Sequence, residues 1–217
     1  MEDFKNYINN LRHDFSKENM DESSIDNNPI IQFEKWFKQA VNANALEPNA
    51  MVVSTVSEMG FPSSRVVLLR NFSSDGFVFY TNYQSKKGKE ITNNPKISLN
   101  FFWPELERQV IIQGIAKKQT EAESDYYFNS RPDSSKIGAW TSPQSQVIAD
   151  RTELEKSFEV VSRKFENKII TRPDFWGGFI VKPVNIEFWQ GRPSRLHDRI
   201  RYTFLNNESI KIERLAP

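Results

Sequence analysis

Met51-Val52-Val53-Ser54-Thr55-Val56, Arg65-Val66-Val67-Leu68-Leu69-Arg70 and Phe77-Val78-Phe79-Tyr80-Thr81 follow one another with only short breaks. β-branched and aromatic side chains pack well on a pleated surface, so each run reads as a strand. Glu58-Met59-Gly60 and Ser74-Asp75-Gly76 supply the turns between them. Further strands are predicted at 97–103, 108–117, 178–181, 184–190, 200–204 and 209–213. Many short strands joined by tight turns point to an antiparallel barrel. Helices are interspersed. Ile30, Phe33, Phe37 and Ala40 recur at three- and four-residue steps behind Pro29, which suits a first helical turn. A short helix is predicted at 86–93. Thr120 and Glu123 form a capping box ahead of Tyr126, Tyr127 and Phe128, and Leu154, Phe158, Val161 and Phe165 mark one more helix. The predicted class is α+β, mainly antiparallel β, with peripheral helices. Residues 1–28 are polar and read as a loosely ordered arm with one short helix at 4–11. Residues 29–217 read as a single domain, with no internal repeat and no linker.

Composition narrows the function. A hydrophobic share of 38% with seventeen Phe supports a packed core. The formal net charge of +1 gives no global field to recruit nucleic acid or an anionic membrane, so anion binding must come from local clusters. The absence of cysteine excludes disulfides, thiolate metal sites and cysteine nucleophiles. His13 and His197 are the only histidines, which argues against a histidine-built metal centre. No apolar run approaches the ~20 residues of a membrane helix, and the polar start lacks the features of a signal peptide. A soluble cytoplasmic protein is expected.

Four local clusters suit anions. The strand at 65–70 is closed at both ends by arginine, and strict alternation places Arg65 and Arg70 on opposite faces. It reads either as an edge strand with protective charges or as part of two anion sites. Ser85-Lys86-Lys87-Gly88-Lys89 opens a helix, where cations and free backbone N–H groups form a phosphate cradle or simply a solvated face. Tyr127, Arg131 and the hydroxyls of Ser134 and Ser135 lie at the junction of two helices and can hold a phosphate through several donors, unless Tyr127 is a core residue at a helix corner. The last cluster, Glu187-Phe188-Trp189-Gln190-Gly191 followed by Arg195-Leu196-His197-Asp198-Arg199, is too charged for a core segment. It offers a flat aromatic face beside cationic forks, or else a solvated hairpin with surface ion pairs.

These segments, in order, resemble the pyridoxamine 5'-phosphate oxidases. The resemblance is carried by Arg65-x-Val-Leu-Leu, Tyr80-Thr-Asn, Ser85-Lys-Lys-Gly-Lys, Glu107-Arg-Gln-Val, the stretch from Tyr127 through Arg131-Pro132 and Ser135 to Gly138-Ala139, and Phe188-Trp-Gln-Gly. It ends with Arg195-Leu-His-Asp-Arg and the terminal Arg214-Leu-Ala-Pro. It covers about Phe33 to Pro217 and implies an FMN-binding split β-barrel that works as a homodimer. It implies oxidation of pyridoxamine 5'-phosphate and pyridoxine 5'-phosphate to pyridoxal 5'-phosphate. The flavin would take hydride from C4', and dioxygen would reoxidise it to give hydrogen peroxide, with ammonia released from the amine substrate. Arg65, Val66, Leu68, Leu69, Arg70, Tyr80, Thr81, Lys86, Lys87 and Gln109 would contact FMN, joined across the dimer interface by Gln144, Ser145, Trp189 and Arg199. Tyr127, Arg131, Ser135 and Arg70 would take the vitamer phosphate, Arg12 would contribute from the arm, and Arg195 and His197 would face the pyridine ring as the catalytic pair.

Three departures stand out. Arg70 occupies a position that is more often lysine, Phe15 stands where tyrosine is common, and Met20-Asp21-Glu22-Ser23 replaces an arginine-rich stretch. The rival readings are a flavin or vitamer carrier with little catalysis, and a flavin-reductase-like barrel. The first would need only the flavin half of these motifs, and the second would not need Tyr127, Arg131 and Ser135.

Overall fold

The computed structural model describes residues 2–11, 14–206 and 209–217. In chain order these form α1 (Glu2–Asn10), α2 (Pro29–Asn42), β1 (Ala50–Val56), β2 (Pro62–Leu68), β3 (Asn71–Ser73), β4 (Gly76–Asn82) and α3 (Lys86–Asn93). There follow β5 (Lys96–Trp103), β6 (Arg108–Lys118), α4 (Glu121–Ser130), α5 (Asp133–Thr141) and α6 (Arg151–Lys164). β7 (Trp176–Gln190), β8 (Asp198–Phe204) and β9 (Ile210–Arg214) complete the chain. The strands join in the order β2-β1-β5-β6-β7-β4-β3, with β8 paired to both β7 and β9. The registers of β1 with β2, β3 with β4, β4 with β7, β7 with β8 and β8 with β9 are all antiparallel. The chain packs as two compact units, divided just before β1 and inside β5, β6 and β7.

One unit comprises residues up to Pro48 with Asn100–Ile112 and Asn185–Pro217. Its helix α2 begins where Asn28 accepts the N–H groups of Ile30 and Ile31 and Pro29 fills the first turn, which needs no donor. The face carrying Phe33, Trp36 and Ala40 is buried. Phe33 meets the ring of Phe101 at 5.1 Å, and Trp36 stands edge-on to Phe188 at 5.2 Å. The polar arm has specific partners here. Arg108 is ion-paired to Glu18, buried Met20 gives its N–H to Asp198, and the Tyr202 hydroxyl donates to the Asp26 carbonyl.

The other unit comprises Asn49–Leu99 and Gln113–Val184. Alternation on β1 buries Met51, Val53 and Thr55. Its register with β2 sets Thr55 opposite Ser63 and Val53 opposite Arg65. Ser85 caps α3 by accepting the Gly88 N–H, and the Thr120–Glu123 capping box opens α4 as the sequence predicts. Gly76 has φ of 141°, and a Cβ there would lie 2.8 Å from the Val181 carbonyl carbon, so the turn into β4 requires glycine.

Three elements differ from the sequence reading. The runs at 178–181 and 184–190 are one strand, β7, which contains Pro183. Its pairing with β4 ends at Val181 and its pairing with β8 begins at Asn185, so the missing proline N–H falls between the two ladders. β3 is a short strand that the sequence reading leaves out. β2 ends at Leu68: the Leu69 N–H still bonds to the Asn49 carbonyl in the β1–β2 register, but that of Arg70 turns to the Val78 carbonyl of β4.

Candidate active site

The second half of β2, the end of β4, the first turn of α3, the last turn of α4 and the start of β7 converge on a cavity of about 330 Å³. Arg65, Val66, Val67, Leu68 and Arg70 line it together with Tyr80, Thr81, Lys87, Tyr127, Arg131, Gln144 and Trp176. Arg65 and Arg70 therefore share one cavity, where strict alternation would have parted them. The turn of the Arg70 backbone away from β1, toward the Val78 carbonyl, is the physical reason.

Lys87 is the most constrained cation. It is 8% exposed, and its Nζ donates to Thr81 Oγ1 at 3.1 Å, Ser85 Oγ at 3.3 Å and Gln144 Oε1 at 2.9 Å. All three partners are neutral, and among the described residues no carboxylate pairs with it. Burial, and then the nearby Arg65, push its pKa down to about 8. A buried ammonium with only neutral acceptors is costly unless an anion joins it.

Arg65 is held from the other side. Its Nη1 donates to the carbonyls of Val53 and Ser63 and to Thr55 Oγ1, and its Nη2 donates to Ser63 Oγ. Glu90 on α3 is 7% exposed and lies 3.5 Å from Arg65 Nη2, while its other oxygen is 3.6 Å from Lys86 Nζ. Burial alone would raise the Glu90 pKa. Hydrogen bonds from Thr55 and Ser63, with Lys86 and Arg65 close by, outweigh it and hold the carboxyl below its ordinary value.

The opposite wall is aromatic. Tyr80 stacks on Tyr127 with centroids 3.8 Å apart, and Trp176 stacks near both. Arg131 lies over Trp176 at 4.6 Å and Arg70 over Tyr127 at 5.9 Å. One terminal nitrogen of Arg131, Nη1, is buried with no hydrogen-bond partner. Burial of Tyr80, with the other phenols and Glu123 around it, pushes its pKa up to about 12, so its hydroxyl stays protonated and donates to Gln119 Oε1. The donor set fits two anionic groups: Lys87 and Arg65 at one end, Arg131 and Arg70 at the other.

The first-described unit holds a second cluster. Trp189 and His197 lie with ring centroids 4.7 Å apart, and Phe15 stands edge-on to both at 5.7 Å. Phe15 packs so closely over Gly191 that a Cβ there would lie 2.7 Å from its ring. His197 Nδ1 accepts the N–H of Arg192 at 3.1 Å, so the neutral ring carries its proton on Nε2 and can donate from there. Burial, and then Arg195, lower the His197 pKa. Arg195 is exposed, and with Ser194 it has left-handed backbone, φ of 61° and 58°. A cavity of about 650 Å³ is lined by Leu11, Asp14, Phe15, Arg192, Ser194, Arg195 and His197.

The other sequence-derived candidates lie apart from the first cavity's lining. Leu69 is buried, and Lys86 turns to Glu90. Ser135 sits in the first turn of α5, and Ser145 is exposed. Gln109 is half-buried on β6. Arg199 is ion-paired to Glu187 at 2.8 Å and donates to the Ala216 carbonyl. Arg12 lies outside the described residues. Gln144, which the resemblance brings from a partner, already reaches Lys87 and Thr81 of its own chain. Sequence reasoning missed Trp176, Glu90, Thr55 and Ser63. The one available signal was Gly177-Gly178 after Trp176, since a Cβ on Gly178 would collide with Gln119 and Tyr80. Among the described residues no helix is long and apolar enough to cross a membrane, and no three acidic or histidine side chains are grouped to hold a metal ion.

Comparison with known proteins gives the cavity its context. The structure of PhzG from Burkholderia lata 383, solved in complex with tetrahydrophenazine-1-carboxylic acid, superposes with a TM-score of 0.84 at 29% identity, covering 90% of this chain and 95% of that one. A pyridoxamine 5'-phosphate oxidase-related, FMN binding protein from Nostoc punctiforme shares the fold, with a TM-score of 0.68 at 16% identity over 85% of this chain and 97% of that one. The fold is thus the split barrel of these proteins.

Residues 37–165 match the pyridoxamine 5'-phosphate oxidase family model, and residues 176–217 match the pyridoxine 5'-phosphate oxidase C-terminal dimerisation region. Curated pyridoxine/pyridoxamine 5'-phosphate oxidases are similar over nearly their whole length. The one from Nostoc sp. is 53% identical over 97% of this chain and 98% of its own. The second such oxidase of Hydrogenovibrio crunogenus is 55% identical over 95% and 97%. The chain belongs to the pyridoxamine 5'-phosphate oxidase family.

Proposed function

We propose that this protein binds FMN and oxidises pyridoxamine 5'-phosphate and pyridoxine 5'-phosphate to pyridoxal 5'-phosphate. Dioxygen is the acceptor and yields hydrogen peroxide, and the amine substrate releases ammonia. The observation that carries this reading is the buried ammonium of Lys87, which faces the same cavity as Arg131 with its unbonded Nη1 and, among the described residues, pairs with no carboxylate. A site for two phosphorylated molecules needs two cationic ends, and this cavity has them.

Lys87, Arg65, Thr81 and Gln144 would hold the FMN phosphate. Bound FMN supplies a two-electron acceptor that also reacts with dioxygen, which no side chain here can replace. Arg131, Arg70 and Tyr127 would hold the vitamer phosphate, with Ser135 adding a hydroxyl. Anchoring a small substrate by its phosphate fixes the position of its reacting carbon and lowers the entropic barrier. Arg195 and His197 would orient the pyridine ring, His197 as a neutral donor from Nε2. Val66, Leu68, Leu69, Tyr80, Lys86, Gln109, Ser145, Trp189 and Arg199 complete the proposed flavin contacts, and Arg12 the substrate contacts. The protein would act as a homodimer through the region of residues 176–217, and in the cytoplasm.

A carrier of flavin or vitamer is the competing reading, and one assay separates them. Purified protein with FMN is mixed with pyridoxamine 5'-phosphate in air while aldehyde and peroxide are followed together. Equal, catalytic production of both is expected. Stoichiometric binding with neither product would make the protein a carrier.

A further inference from the structure

We propose that Glu90 is a positioning residue of the phosphate anchor, acting through Arg65; this rests on the reading of the cavity as the FMN site. Glu90 does not line the cavity. It lies one helical turn beyond Lys86 and Lys87 on α3, with its carboxylate buried against the β1–β2 ladder.

The hydrogen-bond directions show how it acts. An ionised carboxylate can only accept, so Thr55 and Ser63 must each turn their hydroxyl proton toward Glu90. That leaves a lone pair on each oxygen aimed at Arg65, which donates from Nη1 to Thr55 Oγ1 at 2.6 Å and from Nη2 to Ser63 Oγ at 2.8 Å. Glu90 also meets Nη2 at 3.5 Å. Two hydroxyls and a carboxylate thus fix the plane of the guanidinium before any ligand arrives. The helix N-terminus contributes to charge balance as well. Arg65, Lys86 and Lys87 set against one carboxylate leave two positive charges, matching the roughly −2 of a phosphate monoester.

Removing the negative charge of Glu90 would by itself strengthen attraction for an anion. Losing the hydroxyl orientation would weaken it, because an amide NH2 can donate and let Thr55 and Ser63 turn their protons toward Arg65. The preorganised donors at 2.6 and 2.8 Å make orientation the larger effect.

The test is titration of FMN and riboflavin into the wild-type chain, Glu90→Gln, Arg65→Ala and the double variant. Glu90→Gln should bind FMN about tenfold more weakly, the scale of one lost charge-assisted bond, and riboflavin unchanged. In the Arg65→Ala background it should cost nothing further. Ser63→Ala, which keeps the carboxylate, should lower the FMN-to-riboflavin preference in the same direction and serves if Glu90→Gln does not fold. Unchanged or tighter FMN binding in Glu90→Gln, equal loss of both flavins, or additivity with Arg65→Ala would overturn the inference while leaving the FMN site in place. A wild-type chain that binds FMN no better than riboflavin would remove the flavin-phosphate reading and this inference with it.

Discussion

The guanidinium of Arg131 lies over the indole of Trp176, 4.6 Å from its centroid, with its Nη1 buried and unbonded. The ring fixes the plane of the fork but leaves that N–H unsatisfied. An unsatisfied buried donor costs about 1–3 kcal/mol, which an incoming phosphate oxygen would recover. Burial, with Arg70 close by, also lowers the Arg131 pKa, a second sign that this charge lacks an anion.

Arg131→Ala should therefore raise KM for pyridoxamine 5'-phosphate by about ten- to a hundredfold, the scale of one charge-assisted phosphate contact. FMN content should stay normal. Steady-state kinetics with flavin absorbance tests both, and loss of FMN with unchanged KM would reverse the assignment of the two cavity ends.

Lys87 gives a pH signature. Its pKa is depressed to about 8, so the free protein loses that charge as pH rises through about 8. A phosphate needs the charged form, so binding above that pH must take up a proton, and affinity should fall by up to about tenfold per unit. Below it the affinity should be flat with respect to this group. FMN titrations from pH 7 to 10 test it, and Lys87→Arg should remove the break because guanidinium stays charged.

The fold was legible wherever local chemistry decided it. The helix at 86–93 has the predicted bounds, and the Thr120–Glu123 box needed only a hydroxyl and a carboxylate three residues apart. What sequence could not reveal was set by partners distant in the chain. Arg70 leaves the β1–β2 ladder because the Val78 carbonyl of β4 takes its N–H, and that departure brings Arg70 into the cavity with Arg65. Glu90 reads as one more charge on an exposed helix until the β1–β2 register sets Thr55 and Ser63 beneath it. Trp176 draws no reading from the sequence, and its place appears only when Tyr80 and Tyr127 stack beside it.

Trp176→Phe should test that role mildly. A smaller ring keeps an aromatic face toward Tyr80 but weakens the seat of Arg131. The cation–π share, about 1 kcal/mol, should appear as roughly a fivefold rise in KM for the vitamer. Stopped-flow reduction at saturating substrate should be unchanged; a lower limiting rate with normal KM would mean that Trp176 acts elsewhere.

His197 sets an expected acid limb. Its folded pKa lies below the ordinary 6.5, and its Nδ1 must stay unprotonated to accept the Arg192 N–H. The stability this adds is complete above about 6.5 and is lost as pH falls through the lower folded value. Activity should decline over that same window, and His197→Gln should flatten the decline. An unaltered acid limb in His197→Gln would assign it to another group.

Arg195 permits a separation of strain from chemistry. It follows Ser194 in left-handed backbone, a conformation that costs a side-chain-bearing residue about 1 kcal/mol and glycine little. Glycine also loses more chain entropy on folding, by a similar amount, so Arg195→Gly should leave the melting temperature nearly unchanged. The side chain is exposed, so no packing is lost. If Arg195 orients the vitamer, the same variant should reduce flavin more than about tenfold more slowly in anaerobic stopped-flow, equivalent to about 1.4 kcal/mol of lost transition-state stabilisation. FMN content should stay normal, because the proposed flavin anchors are Lys87 and Arg65. Arg195→Ala shares the lost guanidinium and keeps the backbone strain without glycine's extra entropy loss, so it should match Arg195→Gly both in rate and in melting temperature. A normal reduction rate in both variants would take Arg195 out of the catalytic pair and leave the turn as a solvated connection between β7 and β8.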